Sequence, residues 1–246
     1  MKARTLLVRG MLVGVVAGLL TYGFSSLFGE PQINNAIGYE AAHTAAGMGE
    51  PESVSRSVQS TIGLAVALVV YGAALGGIFA LAFASVYGRF GRHGIRATAL
   101  AVAGAGFTTV SLAPFVKYPA NPPAVGDPQT IDERTALYWT MILVCVLAAV
   151  AATLCARALL NRLSVLDVVL VGVGTFVLIV GIAMVVLPGV DEVPADFPAT
   201  TLWRFRLASL GSQAVLWATF GLLFGALTAR SVRRHAGDGS SLASAR

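Results

Sequence analysis

Glu40 and His43, in Tyr39-Glu40-Ala41-Ala42-His43, are the residues of this chain best suited by type and spacing to hold a metal ion. Three residues apart on a helix, they share a face. Imidazole and carboxylate together suit divalent first-row metals. Met48, Glu50 and Glu52 follow at once, and Glu50 completes the candidate metal set. The competing expectation is a surface histidine on an interfacial helix, because E-x-x-H is a common spacing. His93 and His235 lie among arginines and are poorer ligand candidates.

A second group is cationic. Arg204 and Arg206 would repel a passing cation, so their expected role is structural, pairing with carboxylates such as Glu133, Asp132 or Asp196. Arg134 belongs to the same set of structural or gating pairs. Two other readings stay open: an anion site, or guanidinium groups reaching toward the membrane interface. Tyr22 and Gln213 are polar groups inside apolar runs and are candidates for lining a path. No G-x-x-x-x-G-K, H-E-x-x-H or G-x-S-x-G occurs, so neither ATP hydrolysis nor the commoner hydrolytic chemistries are expected, and the chain reads as a non-enzyme. No permanently bound cofactor is implied.

The elements that must position these residues are membrane helices. Charged residues make up 12% of the chain, against about 25% in soluble domains. Mean hydropathy is +0.77. Six apolar runs, near 6–28, 61–87, 97–116, 136–156, 168–187 and 207–229, are each long enough to cross about 30 Å of hydrocarbon. They are continuous rather than alternating, which selects helices over a barrel. The fold class is therefore all-α, a polytopic bundle of about six transmembrane helices with ordered extracytoplasmic loops, in one domain over 1–234 and a disordered cytoplasmic tail over 235–246. The first run is read as a retained helix rather than a signal peptide, since it is long for a leader and no A-x-A site follows.

Counting lysines and arginines by loop gives an orientation. Twelve of the 17 fall at the N-terminus, the second loop, the fourth loop and the C-terminus, which places both ends in the cytoplasm of a cell-membrane protein. Ten of the acids fall on the opposite side, which is either a negative mouth that would concentrate cations or simply the avoidance of the cytoplasmic flank by acids. The net charge of +5 is thus membrane patterning, not a nucleic-acid signal. The long and proline-rich connections also lie outside, so the chemistry is expected there.

Local signals mark helix ends. Thr130-x-x-Glu133 reads as a capping box for the fourth span, and Ser164-x-x-Asp167 as the cap of the fifth. Pro198, Thr200 and Thr201 start the sixth before Leu202. Gly14/Gly18, Gly72/Gly76 and Gly221/Gly225 are three G-x-x-x-G pairs, expected to serve packing within one bundle more than a homo-oligomer interface. Cys145 and Cys155, ten residues apart on one helix, are too distant for a disulfide.

Ser111-Leu112-Ala113-Pro114, the proline-rich run from Lys117 to Pro123, Arg134 with Tyr138 and Trp139, and Phe197-Pro198-Ala199 through Trp203-Arg204-Phe205-Arg206-Leu207-Ala208 together resemble the CbtA family of probable cobalt transporter subunits. The resemblance covers nearly the whole chain. It implies a subunit of a cobalt uptake system tied to cobalamin synthesis, with the cobalt ion as substrate and a short one-span, histidine-tailed membrane protein as partner. Relatives carry a histidine where this chain has Ser111, which argues against metal capture at the third helix. The rival expectations are a non-transporting membrane scaffold and an anion or small-solute carrier using Arg204 and Arg206.

Overall fold

The structure, a computed structural model, describes residues 3–43, 55–89 and 93–244. Among these the chain forms helices and no strand. Six helices are long and apolar enough to cross a membrane. In our numbering α1 is Ala3–Phe28, α2 Glu30–His43, α3 Arg56–Val86, α4 Ile95–Lys117, α5 Ile131–Leu159 and α6 Val165–Val186. The last span, α7, is Ala199–Arg234, and its helical backbone runs on to Ser244, through most of the stretch expected as a disordered tail. Leucines such as Leu147, Leu154, Leu170 and Leu178 are exposed along whole faces of their helices. Helices apolar all round belong in hydrocarbon, where those faces meet lipid.

Helix ends largely follow local chemistry. Ser164 caps α6: its Oγ accepts from the Asp167 amide at 3.3 Å and donates to Asp167 Oδ2 at 2.7 Å. The sixth span begins at Ala199, before Leu202 as expected. The capping box at Thr130 does not form. Helix α5 does start at Ile131, but the Thr130 hydroxyl donates to Glu192 Oε1 at 2.7 Å, with Asp127 O 3.0 Å away, instead of capping its own helix. The bond to Glu192 joins residues 62 apart, which a local motif cannot report.

Contacts divide the chain into two compact units, the first made of Met1–Phe24, Val54–Gly106 and Ser212–Arg246, the second of Ser25–Ser53 and Phe107–Gly211. In the first, α1 and α3 meet through glycines. A Cβ on Gly14 would run into the carbonyl oxygen of Gly72, and one on Gly10 into that of Gly76. Only hydrogen fits at such a backbone approach. Further along the same stripe of α3, Phe79 stacks on Phe220 at 5.4 Å between ring centroids, and Phe83 meets Phe224 edge-on at 5.1 Å. Gly221 and Gly225 lie against Ala103 and Ala99 of α4. All three G-x-x-x-G pairs are thus spent inside the chain.

In the second unit α5 and α6 pair across a short turn. Met141, Cys145 and Ala148, spaced four and three apart, present one fully buried stripe to Val180 and Ala183. Cys145 is buried and Cys155 exposed, and both are free. Helix α4 widens to a π turn over Phe107–Leu112, just before Pro114. Proline has no N–H for the preceding carbonyl row and its ring crowds that turn, so the ladder loosens there.

Candidate functional site

The candidate site is a polar cap in the second unit, built by α2, the connection from Lys117 to Thr130 and the connection from Leu187 to Pro198. Four residues of α2, Gln32, Ala36, Tyr39 and His43, fall at steps of four, three and four and so share a face. Ala36 is fully buried with Val125 and Phe197. The Tyr39 ring meets Phe197 edge-on at 4.9 Å and stacks on the His43 ring at 4.1 Å. This apolar contact lays the end of α2 on the turn Pro194–Phe197, which the Phe197 amide closes on Pro194 O at 3.0 Å.

His43 is the last residue of α2 and uses both ring nitrogens. Nδ1 lies 2.8 Å from Tyr39 O, one turn back along the same helix. A carbonyl only accepts, so Nδ1 carries the proton. Nε2 lies 3.2 Å from Asp196 Oδ2. The Tyr39 hydroxyl also bonds to Asp196; that bond, helped by a backbone amide and by His43, holds the Asp196 carboxyl below the usual aspartate range. Desolvation, and then the carboxylate beside it, push the Tyr39 phenol up.

A second knot centres on Glu192. Its Oε1 accepts from the Thr130 hydroxyl at 2.7 Å, and its Oε2 from the Asp127 amide at 2.8 Å and faces Arg134 Nε at 3.2 Å. Arg134 Nη2 also donates to Asp127 O at 3.0 Å. The turn that makes room for this passes through Gly126 at φ +113°, where the Arg134 guanidinium occupies the place of a Cβ. The Thr130 and Asp127 bonds, followed by the arginine, lower the Glu192 carboxyl below its ordinary range.

Two further cations stitch loop to helix. Lys117 Nζ donates to Met184 O at 2.9 Å and Leu187 O at 2.8 Å, covering the last carbonyls of α6. Tyr118 OH donates to Pro188 O at 2.8 Å beside it. Arg206 Nη2 donates to Asn121 Oδ1 at 2.8 Å, and its Nε to Ala120 O at 3.4 Å.

The structure thus redistributes the expected partners. Arg134 pairs, but with Glu192, which carries no local sequence signal. Asp196 pairs with His43 rather than with an arginine. Arg206 does not take Glu133, Asp132 or Asp196, because it sits two turns into α7, level with the 120–121 backbone, while Asp196 is turned to α2. Arg204 and Glu133 are exposed. Glu40 is exposed on α2, and Glu50 lies outside the described residues. In the first unit Tyr22 is half-buried, and Gln213 hydrogen-bonds the Tyr71 hydroxyl. Among the described residues no three of histidine, cysteine, aspartate and glutamate gather closely enough to cage a metal.

A family model, CbtA, described as a probable cobalt transporter subunit, matches residues 3–229. No curated protein and no solved structure matches the chain.

Proposed function

Because the chain belongs to the CbtA family, we propose that it is the multi-pass subunit of a cobalt uptake system in the cell membrane, admitting the divalent ion through the polar cap. The family match over residues 3–229 is the observation that carries this reading. The distribution of lysine and arginine supports placing both termini in the cytoplasm and the cap outside. An outer side carrying ten of the acids would gather cations. Weak contacts spread over Glu40, His43 and Glu50 would let an ion enter and leave, as passage requires. The scarcity of ligands agrees with a subunit that works beside another chain. We assign that role to a one-span, histidine-tailed membrane protein, and the imported metal to cobalamin synthesis. The anion-carrier alternative loses support because Arg206 is engaged by Asn121 and Ala120.

One observation favours a non-transporting scaffold: among the described residues no metal cage is present. The two readings part in a single experiment. Cells lacking their own cobalt uptake are given this chain, a histidine-tailed one-span protein, or both, and radioactive cobalt entry is measured at nanomolar metal. Uptake is expected only where this chain is present. Uptake unchanged by its omission sinks transport in favour of the scaffold.

A further inference from the structure

The His43–Asp196 contact needs something positive at its centre. The Nδ1 proton is committed to Tyr39 O at 2.8 Å. If Nε2 is bare, its lone pair and the Asp196 carboxylate oxygen face each other at 3.2 Å and repel. A proton on Nε2 resolves this, and so does a metal ion set to one side of the line between the two atoms. The separation suits the second solution as well as the first. Two donors, each about 2.1 Å from one ion, lie about 3.0 Å apart at an octahedral right angle and about 3.4 Å apart at the tetrahedral angle.

The surroundings are those of a prepared metal-ligand pair. Histidines that bind metals generally donate their other ring N–H to a carbonyl or carboxylate, which fixes the tautomer and aims the free nitrogen. Tyr39 O does this for His43. Ligating carboxylates are themselves held by hydrogen bonds. The Tyr39 hydroxyl does this for Asp196. One tyrosine therefore braces both donors, and its ring stacked on the imidazole limits the swing of the latter. The side chains of His43 and Asp196 are 53% and 64% exposed, so an aqueous ion reaches them without any rearrangement. An exposed ion pair alone would add little to stability.

We propose that His43 Nε2 and Asp196 Oδ2 form a two-donor docking site for a hydrated divalent first-row cation, which keeps water in its remaining positions. The site rests on the transport reading and deepens it: the ligand partner of His43 is Asp196, 153 residues away in sequence, and the bound ion ties the end of α2 to the turn before α7.

The test uses the full chain in lipid nanodiscs, with histidine rings isotopically labelled, titrated with cobalt chloride. Paramagnetic cobalt is expected to move the His43 ring signals at lower metal than those of His93 and His235. Asp196→Asn, which keeps size and loses the donor charge, is expected to weaken that binding by at least about tenfold, the loss usual for supporting groups around a metal. Tyr39→Phe keeps both donors and is expected to fall between wild type and Asp196→Asn. Wild-type cobalt affinity in Asp196→Asn, or a response of His93 or His235 in place of His43, overturns the site. Cobalt uptake is measured on the same variants. Uptake that needs the chain while Asp196→Asn binds normally removes the site and spares the transport reading. Weakened binding in Asp196→Asn without any chain-dependent uptake keeps the site and removes that reading.

Discussion

The glycine-lined contact of α1 with α3 and the polar cap over α5 and α6 solve the same problem in opposite ways. In lipid, apolar side chains gain little by meeting one another rather than the acyl chains. The first contact therefore works by shape: hydrogens at Gly10 and Gly14 let carbonyls of Gly76 and Gly72 come within touching distance. The cap works by bonding. Lys117, Tyr118, Arg134 and Arg206 each reach a group on another segment, mostly a backbone carbonyl that loop or helix end has left unmet. Shape tolerates no added atom, while bonding tolerates size but not a missing partner.

That contrast can be broken at several points. The largest effect is expected from Gly14→Leu, which forces α1 off α3 and should cost about 3 kcal/mol or more in thermal unfolding in detergent. Gly174→Ala, where nothing lies within 4 Å of the new carbon, is the control and should leave the transition in place. Next comes Glu192→Ala, which strands Thr130, the Asp127 amide and Arg134 together. Protease cleavage within the 119–130 connection should rise about tenfold, the size of one well-made hydrogen bond in open-state population.

Acid should open the same knot in the unaltered chain. The Glu192 carboxyl ionises more readily folded than unfolded, so its contribution is complete above the ordinary glutamate range, about pH 4.3. It is withdrawn as the pH falls through the lowered value. Cleavage at the connection should therefore climb below that range in wild type and stay level in Glu192→Ala. A smaller loss, about 1 kcal/mol, is expected from Lys117→Met, which keeps the stem and uncovers two carbonyls of α6. Arg204→Gln, on an exposed position, should change stability by less than about 0.5 kcal/mol. If it costs as much as Lys117→Met, the division of labour among the basic residues is wrong.

The bilayer part of this molecule is legible in its sequence because the signal is long. Runs of twenty apolar residues, and the Ser164 cap beside one of them, declare themselves locally. The start of α7 before Leu202 followed from Pro198 and the two threonines. The cap was legible only in its ingredients. Arg134 and Asp196 stood out as pairing groups, yet their partners, Glu192 and His43, lie tens of residues or more away. Which acid meets which base is set by a backbone turn at Gly126 and by the apolar seat of Tyr39 on Phe197, neither of which has a charge pattern. The E-x-x-H spacing supplied Glu40 as the companion of His43, whereas the side chain that meets its Nε2 is that of Asp196. Thr130 shows the reverse error, a motif with the right letters whose hydroxyl was claimed by a residue far along the chain.

The loosened turn ahead of Pro114 has a consequence for where Lys117 points. A π turn carries one residue more than the α ladder would, and each helical residue accounts for about 100° of rotation about the axis. Because the widened turn takes up its extra residue without that rotation, deleting Val110 would tighten the coil to an ordinary α turn and leave Lys117 facing Met184 and Leu187, whereas deleting Val116 from the regular turn after it would swing the ammonium group away by roughly that angle. The surplus residue is slack in the coil: the azimuth at which the third span hands its final side chains to the fifth survives its loss.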